Sequence, residues 1–236
     1  MWLPVDTKTG NHLLDALPAK SFRRLQPNLE SVALVLAAPV DTTEHVYFPV
    51  SGMISVVATT TDRTPVEIGI VGREGMYRVS AILSDHKPSA TAMVQLPGRA
   101  LRLRTRLLRR EMRADARVQR LLPRYAQAVL SYLAQSAVCN RLHLVEQRSA
   151  RWLLACHDRA DAGSFPMTHE FLAMMLGVRR PGVTLAARSL QTKGLITYKH
   201  GTMTVLDREG LEAVACNCYR VIKNEFACLL GRSPIA

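Results

Sequence analysis

Side chains suited to reading a polyanion are concentrated in the stretch Thr168–Leu190, T-H-E-F-L-A-M-M-L-G-V-R-R-P-G-V-T-L-A-A-R-S-L. Arg180, Thr184 and Arg188 recur at i, i+4, i+8 and so share one face of a helix. A guanidinium fork matches guanine O6 and N7 in the major groove, which makes Arg180 the principal base-reading candidate, with Thr184 and Arg188 beside it. Thr168, Arg179 and Lys199 are better suited to phosphate, and Gly182 lets the backbone approach one closely. These seven residues form the expected DNA-binding set.

Other chemistry is sparse. The five cysteines, Cys139, Cys156, Cys216, Cys218 and Cys228, follow no common zinc or iron–sulfur spacing. Cys216-x-Cys218 would place its two thiols on different sides of a helix, so these are expected to be buried or incidental thiols, and no metal or cofactor is expected. The seven histidines form no H-E-x-x-H or similar cluster. Cys156 and His157 are neighbours in sequence, which is no evidence of a nucleophile–base pair, and no phosphate loop is present. The chain is therefore expected not to be an enzyme.

The elements that would position the polyanion readers follow from periodicity. Leu172, Met175 and Leu176 fall at helical spacing after Thr168, an N-cap with Glu170 in the first turn. Gly177 supplies a positive φ to end that helix, and Pro181 suits the first turn of the next. Val183, Ala186, Ala187 and Leu190 give the second helix its apolar face. Two β runs, 194–199 and 202–206, flank His200-Gly201 as a compact hairpin, the wing of a winged helix-turn-helix. A C-terminal helix, Arg208 to about Leu230, closes the domain.

Upstream, Asn11–Leu29 reads as short helices interrupted by Pro18 and Pro27. From Val32 to about Leu103 come short apolar runs (46–48, 53–58, 66–71, 92–96, 100–103), separated by turns at Ser51-Gly52, 61–64, 72–75 and Pro97-Gly98. This is the texture of a small β-sandwich or roll. Ten arginines between Arg99 and Arg124, against Glu111 and Asp115, mark a solvated basic crossing or an added electrostatic footprint. Val118, Leu122, Tyr125, Val129, Tyr132, Ser136 and Cys139 then recur with heptad-like spacing along Ala116–Asn140. The first five are expected to form a dimer interface, the alternative being a seam buried wholly within the chain, with Pro123 bending the helix. A further helix, Arg141–Asp161, carries Leu144, Trp152, Leu153 and Leu154 inward and Arg148 and Arg151 outward.

Composition sets the outer bounds. At 236 residues, 48% hydrophobic and 21% charged, the chain can bury a real core and is not of disordered composition. A net charge of +12 favours a polyanionic partner. No run approaches the roughly 20 apolar residues of a membrane span, and the N-terminal M-W-L-P-V-D has no signal-peptide pattern. A cytoplasmic protein with no membrane partner is expected.

The order of motifs resembles the CRP/FNR superfamily of bacterial transcription regulators over roughly residues 11 to 230. The resemblance rests on V-Y-F-P-V-S-G-M-I-S (46–55), V-G-R-E-G-M (71–76), N-R-L-H (140–143) with R-W-L-L (151–154), and T-H-E-F-L-A-M-M-L-G-V-R-R-P-G-V-T followed by G-L-I-T-Y. It implies an α+β chain with three parts: a cyclic-nucleotide-binding-like β-roll over 1–115, a dimerisation helix over 116–140, and a winged helix-turn-helix over 141–236. It further implies a homodimer on a pseudo-palindromic operator, governing RNA polymerase recruitment or access.

Departures from the family narrow the expectations. Cyclic-nucleotide binders carry Gly-Glu and a later Arg-Ser, whose carboxylate and guanidinium take ribose and phosphate. Here 75–91 reads G-M-Y-R-V-S-A-I-L-S-D-H-K-P-S-A-T, with Pro88-Ser89 at the second position and only Arg78 or Lys87 as positive charge. Family-type cyclic-AMP or cyclic-GMP binding is not expected, and the effector is left unidentified. No cysteine precedes Cys139, so the family's N-terminal iron–sulfur pattern is missing, and His45 or His86 as a haem ligand is not favoured. In the recognition helix Pro181 stands at the family's Glu and Leu185 at its second Arg. The competing reading is a ligand-binding or interaction module with little specific DNA binding.

Overall fold

The computed structural model describes residues 8–41, 43–59, 65–84 and 90–230. The turn 61–64 and the residues His86, Lys87, Pro88 and Ser89 lie outside them. Two short helices, α1 (His12–Asp15) and α2 (Ala19–Leu25), lead through a 3-10 turn containing Pro27 into the sheet. Asn11 caps α1, accepting from the Leu14 N–H. Its amide also donates to the carbonyls of Pro49 and Gly75, pinning the N-terminal segment to the roll.

The roll is one antiparallel sheet of β1 (Glu30–Leu34), β2 (His45–Thr59), β3 (Pro65–Val71) and β4 (Thr91–Arg104), in the order β1-β4-β2-β3. The five short runs expected from sequence are instead carried on three strands. Ser51-Gly52 and Pro97-Gly98 are not turns but bends within β2 and β4, where the pairing register shifts repeatedly between Pro49 and Ile54. A bulge adds twist without ending a strand, and this is how a flat sheet becomes a roll. Gly52 has φ +76°, and a Cβ there would lie 2.6 Å from the Leu96 carbonyl oxygen. Gly52→Ala should therefore cost at least about 1–3 kcal/mol of stability, read by urea unfolding. Wild-type stability in this variant would mean the bend does not need glycine.

A short helix α3 (Ser80–Leu83) lies between β3 and β4. After the roll come α4 (Thr105–Ala114) and α5 (Ala116–Leu142), the latter capped by Asp115, which accepts from the Arg117 N–H. α5 runs through Pro123, which sits on its exposed side. Seven of the ten arginines, from Arg104 to Arg124, are exposed along α4 and the start of α5, forming a solvated basic face.

The heptad-like seam corrects an expectation. Val118, Leu122, Tyr125 and Tyr132 are buried within this single chain, and Val129 is half-buried. The reason is that the roll and the C-terminal helix both need an apolar partner, and this face supplies it. Tyr125 Oη donates to the Met76 carbonyl (2.8 Å) and accepts from the Met76 N–H (2.9 Å), fastening the helix to the sheet's edge loop. The side left uncovered instead carries Gln127, Leu130, Ala134, Ala137, Val138 and Leu142, with Leu130 53% and Val138 45% exposed.

The second domain comprises α6 (Val145–His157), β5 (Ser164–Pro166), α7 (His169–Leu176), α8 (Arg180–Thr192), β6 (Ile196–Lys199), β7 (Thr202–Val205), α9 (Arg208–Val214) and α10 (Cys218–Leu229). The three strands pair in the order β5-β7-β6, and β5 is an addition to the expected hairpin. His200 and Gly201 have φ of +47° and +77°, as a two-residue hairpin turn requires. Leu144 caps α6 and is exposed, while Arg148 and Arg151 are buried rather than solvated. Arg148 reaches across to Asn140 Oδ1 (3.0 Å) and the Leu176 carbonyl, tying α5 to α7. The single C-terminal helix expected is two, broken at Ala215–Asn217, and α10 lies along α5 with Phe226 between Tyr125 and Tyr132.

The two domains meet at Glu67 of β3. Ser55 Oγ donates to one carboxylate oxygen (2.6 Å) and Trp152 Nε1 of α6 to the other (2.8 Å). Burial raises this carboxyl to about 7 from its ordinary 4.5, against the lowering effect of both donors. Because the folded value lies above the unfolded one, the folded chain keeps a proton that the unfolded chain has lost. Stability should accordingly fall as pH rises through the window from 4.5 to about 7, then level off. At about 1.4 kcal/mol per pH unit the loss is on the order of 3–4 kcal/mol. Glu67→Gln keeps an acceptor for Trp152 and should flatten the profile; urea unfolding on both sides of the window checks this, and an unchanged slope in the variant would contradict it.

Candidate nucleic-acid interface

The helix-turn-helix is built by local rules. Thr168 Oγ1 accepts from the Phe171 N–H (3.1 Å), so its hydroxyl is engaged as the α7 cap. Leu172, Ala173, Met175 and Leu176 are buried. Gly177 ends the helix in the left-handed region at φ +61°, with its N–H on the Met174 carbonyl and that of Val178 on Ala173. Pro181 lies in the first turn of α8, where an N–H is not needed. Val183, Ala186, Ala187 and Leu190 are buried against the domain, which fixes the opposite face outward.

That outward face holds the expected residues. Arg179, Arg180 and Arg188 are exposed, and Lys199 is exposed on the wing. Arg180 sits at the first helical position, with Glu170 of α7 at 3.7 Å; both side chains are largely solvated, so this pair leaves the guanidinium available. Thr184 is half-buried and its hydroxyl donates to the Arg180 carbonyl (3.1 Å). A Cβ built on Gly182 meets nothing within 4 Å, so packing within the chain does not require glycine there. Leu185 is 67% exposed beside them, an apolar group suited to a thymine methyl.

One residue escaped the sequence reading. His169 stacks on Tyr198 of the wing (centroids 4.4 Å apart, 24° between planes), and its Nδ1 lies 3.3 Å from Thr184 Oγ1. Burial, then the nearby Arg180 charge, lowers its pKa. The ring joins α7, α8 and the wing into one surface. Only its place directly after the Thr168 cap hinted at this. Lys193 and Ser189 both bond Glu146 of α6 (2.6 and 2.8 Å), which fixes α8 from behind.

In the roll, a cavity of about 180 Å³ opens between β3, the segment after Gly75 and α5, lined by Val56, Ile70, Arg78, Tyr125, Val129 and Leu133 among others. No carboxylate among the described residues lines it. Arg78 is buried and its guanidinium donates to the Thr43 carbonyl (2.6 Å). Cys156 and His157 do not form a dyad: the Cys156 thiol is buried, with its pKa pushed up by burial, and His157 Nδ1 lies 2.8 Å from Arg208 Nη1.

A cyclic nucleotide-binding domain model matches residues 34–115, and a Crp-like helix-turn-helix domain model matches residues 147–214. With these two domains in this order, the chain is a CRP/FNR-like regulator. Solved structures share its fold. FixK2 from Bradyrhizobium japonicum has a TM-score of 0.66 at 16% identity, over 80% of this chain and 98% of that one. CLP from Xanthomonas campestris, a c-di-GMP responsive global regulator, has a TM-score of 0.62 at 16% identity, over 80% and 99%. No curated protein sequence matches the chain. Among the described residues of this CRP/FNR-like protein, no helix is long and apolar enough to cross a membrane.

Proposed function

We propose that this CRP/FNR-like protein acts as a homodimer that binds a pseudo-palindromic operator and thereby governs the access or recruitment of RNA polymerase. The observation that carries this is the outward face of α8, where Arg180, Thr184, Leu185 and Arg188 project beside the exposed Arg179 and the wing's Lys199. Arg180 reads a guanine edge, Thr184 and Arg188 contact neighbouring bases, and Arg179, Lys199, Thr168 and the Gly182 backbone hold phosphate. The divisions at 115/116 and 140/141 separate the roll, the α5 helix and the DNA-binding unit. Dimer contact runs along the uncovered side of α5, through Leu130, Ala134, Ala137 and Val138.

Any effector of the roll is of a kind that needs no ribose carboxylate, since the cavity is mostly apolar and no carboxylate among the described residues lines it. Fluorescence anisotropy with the operator and with a scrambled duplex tests the DNA reading across a salt series. A preference of at least about 10³-fold is expected, with affinity falling steeply as salt rises. Equal binding to both duplexes would favour an interaction module of the same fold.

A further inference from the structure

The cysteines expected to be incidental are brought together. Cys139 and His143 lie one turn apart at the end of α5, and Cys216 and Cys218 flank the start of α10. The break at Ala215–Asn217 turns both thiols of the Cys-x-Cys pair to one side, where a continuous helix would have parted them. The three sulfurs and the imidazole nitrogen lie within 4.8 Å of one another, and the three cysteines are buried. Cys139 Sγ is 3.5 Å from Cys216 Sγ, and Cys218 Sγ is 3.5 Å from His143 Nδ1. Around a tetrahedral zinc ion, bond lengths of about 2.3 Å to sulfur and 2.0–2.1 Å to nitrogen give edges of about 3.8 Å and 3.5 Å. The cluster already has nearly those dimensions.

We propose that Cys139, His143, Cys216 and Cys218 form a structural Cys3His site for one zinc(II) ion. On binding, the three thiols release three protons and the neutral imidazole donates through Nδ1, leaving a site of net charge −1. The surroundings suit that charge. Gln135, one turn before Cys139, donates its amide N–H to Cys218 Sγ (3.0 Å). Such N–H···S contacts are the usual support of a thiolate ligand. The buried Arg148 and Arg151 lie within electrostatic reach of Cys139 and Cys216, and each has an Nε without a hydrogen-bond partner among the described residues. Buried cations are costly unless matched, and an anionic metal–thiolate centre matches them. With four protein ligands the site has no open position, so it is a clamp rather than a catalytic centre. It fastens the last turn of α5 to the start of α10, the helix that covers α5's inner face.

Elemental analysis of the full-length protein, purified under reducing conditions without chelator, tests this directly. About one zinc per chain is expected. Replacement by cobalt(II) should give the intense visible bands and sulfur-to-metal charge transfer of a tetrahedral thiolate site. Cys139→Ser and Cys218→Ser should lose the metal, while Cys228→Ser, which alters an exposed cysteine outside the cluster, should keep it. Because a ligand variant can lose metal by misfolding, the wild-type protein supplies a second reading: titration of its thiols with an organomercurial should release zinc as the buried thiols react. Wild-type protein without zinc and without cobalt thiolate bands would overturn the proposal. So would iron with inorganic sulfide in place of zinc, or a Cys139–Cys216 disulfide in the reduced preparation.

Discussion

Replacing Arg180 with alanine should weaken operator binding by about 1–3 kcal/mol and relax the preference at one base pair in each half-site, without lowering thermal stability. The expectation follows from position and surroundings. Arg180 opens α8, its side chain is largely solvated, and its one ion pair, to an equally solvated Glu170, is weak. Its side chain lies outside the core, and it is the first residue of α8. Arg179→Ala and Lys199→Ala should behave differently, weakening all duplexes alike and reducing the salt slope by about one each. Titration of each variant against the operator and its single-base variants separates the two classes. An Arg180→Ala protein with unchanged affinity and unchanged base preference would remove the residue from the reading set.

The second large effect concerns the two sides of α5. Leu122→Ala should destabilise the fold by about 2–5 kcal/mol, because the side chain is fully buried in the chain's own core. Leu130→Asp should leave the fold's stability nearly intact and convert dimer to monomer, since Leu130 is 53% exposed and lies on the uncovered stripe. A charge buried in a symmetric interface faces its own copy, so the penalty is doubled. Sedimentation analysis and urea unfolding, run on both variants, read the two properties independently. If Leu130→Asp stays dimeric, contact between copies lies elsewhere on the molecule.

The reason sequence favoured a stripe of α5 that the chain itself buries is physical. Both sides of the helix are apolar, and periodicity reports that a stripe will be buried without saying against what. Contacts distant in sequence decide it: the Tyr125 hydroxyl completes the backbone polar groups of Met76, 49 positions away, and Phe226 of α10 packs on Tyr125 and Tyr132. The same limit applies to the roll's strands. Ser51-Gly52 carries a turn signature, yet Gly52 bends a continuing strand because β4 passes so close behind it. Arg148 and Arg151 look like surface charges until α7 and the thiol cluster close over them.

The helix-turn-helix, by contrast, was legible because its determinants are local. The Thr168 cap, the Gly177 turn, Pro181 and the apolar spacing of α8 act within a few residues of where they are written. The cysteine cluster lies at the other extreme. Cys139 and Cys216 are 77 positions apart, and their meeting depends on the break between α9 and α10. His169 was missed for an intermediate reason, since its partners Thr184 and Tyr198 come from two other elements of the same small domain.

The most direct test of specific DNA recognition by a dimer is selection of the full-length protein against random duplexes, followed by footprinting of the winning sequence. The expected product is a dyad whose half-sites are centred about one helical turn apart, roughly 10 base pairs, each containing a guanine whose protection is lost with Arg180→Ala. A selected site without dyad symmetry, or no enrichment over the starting pool, would contradict it.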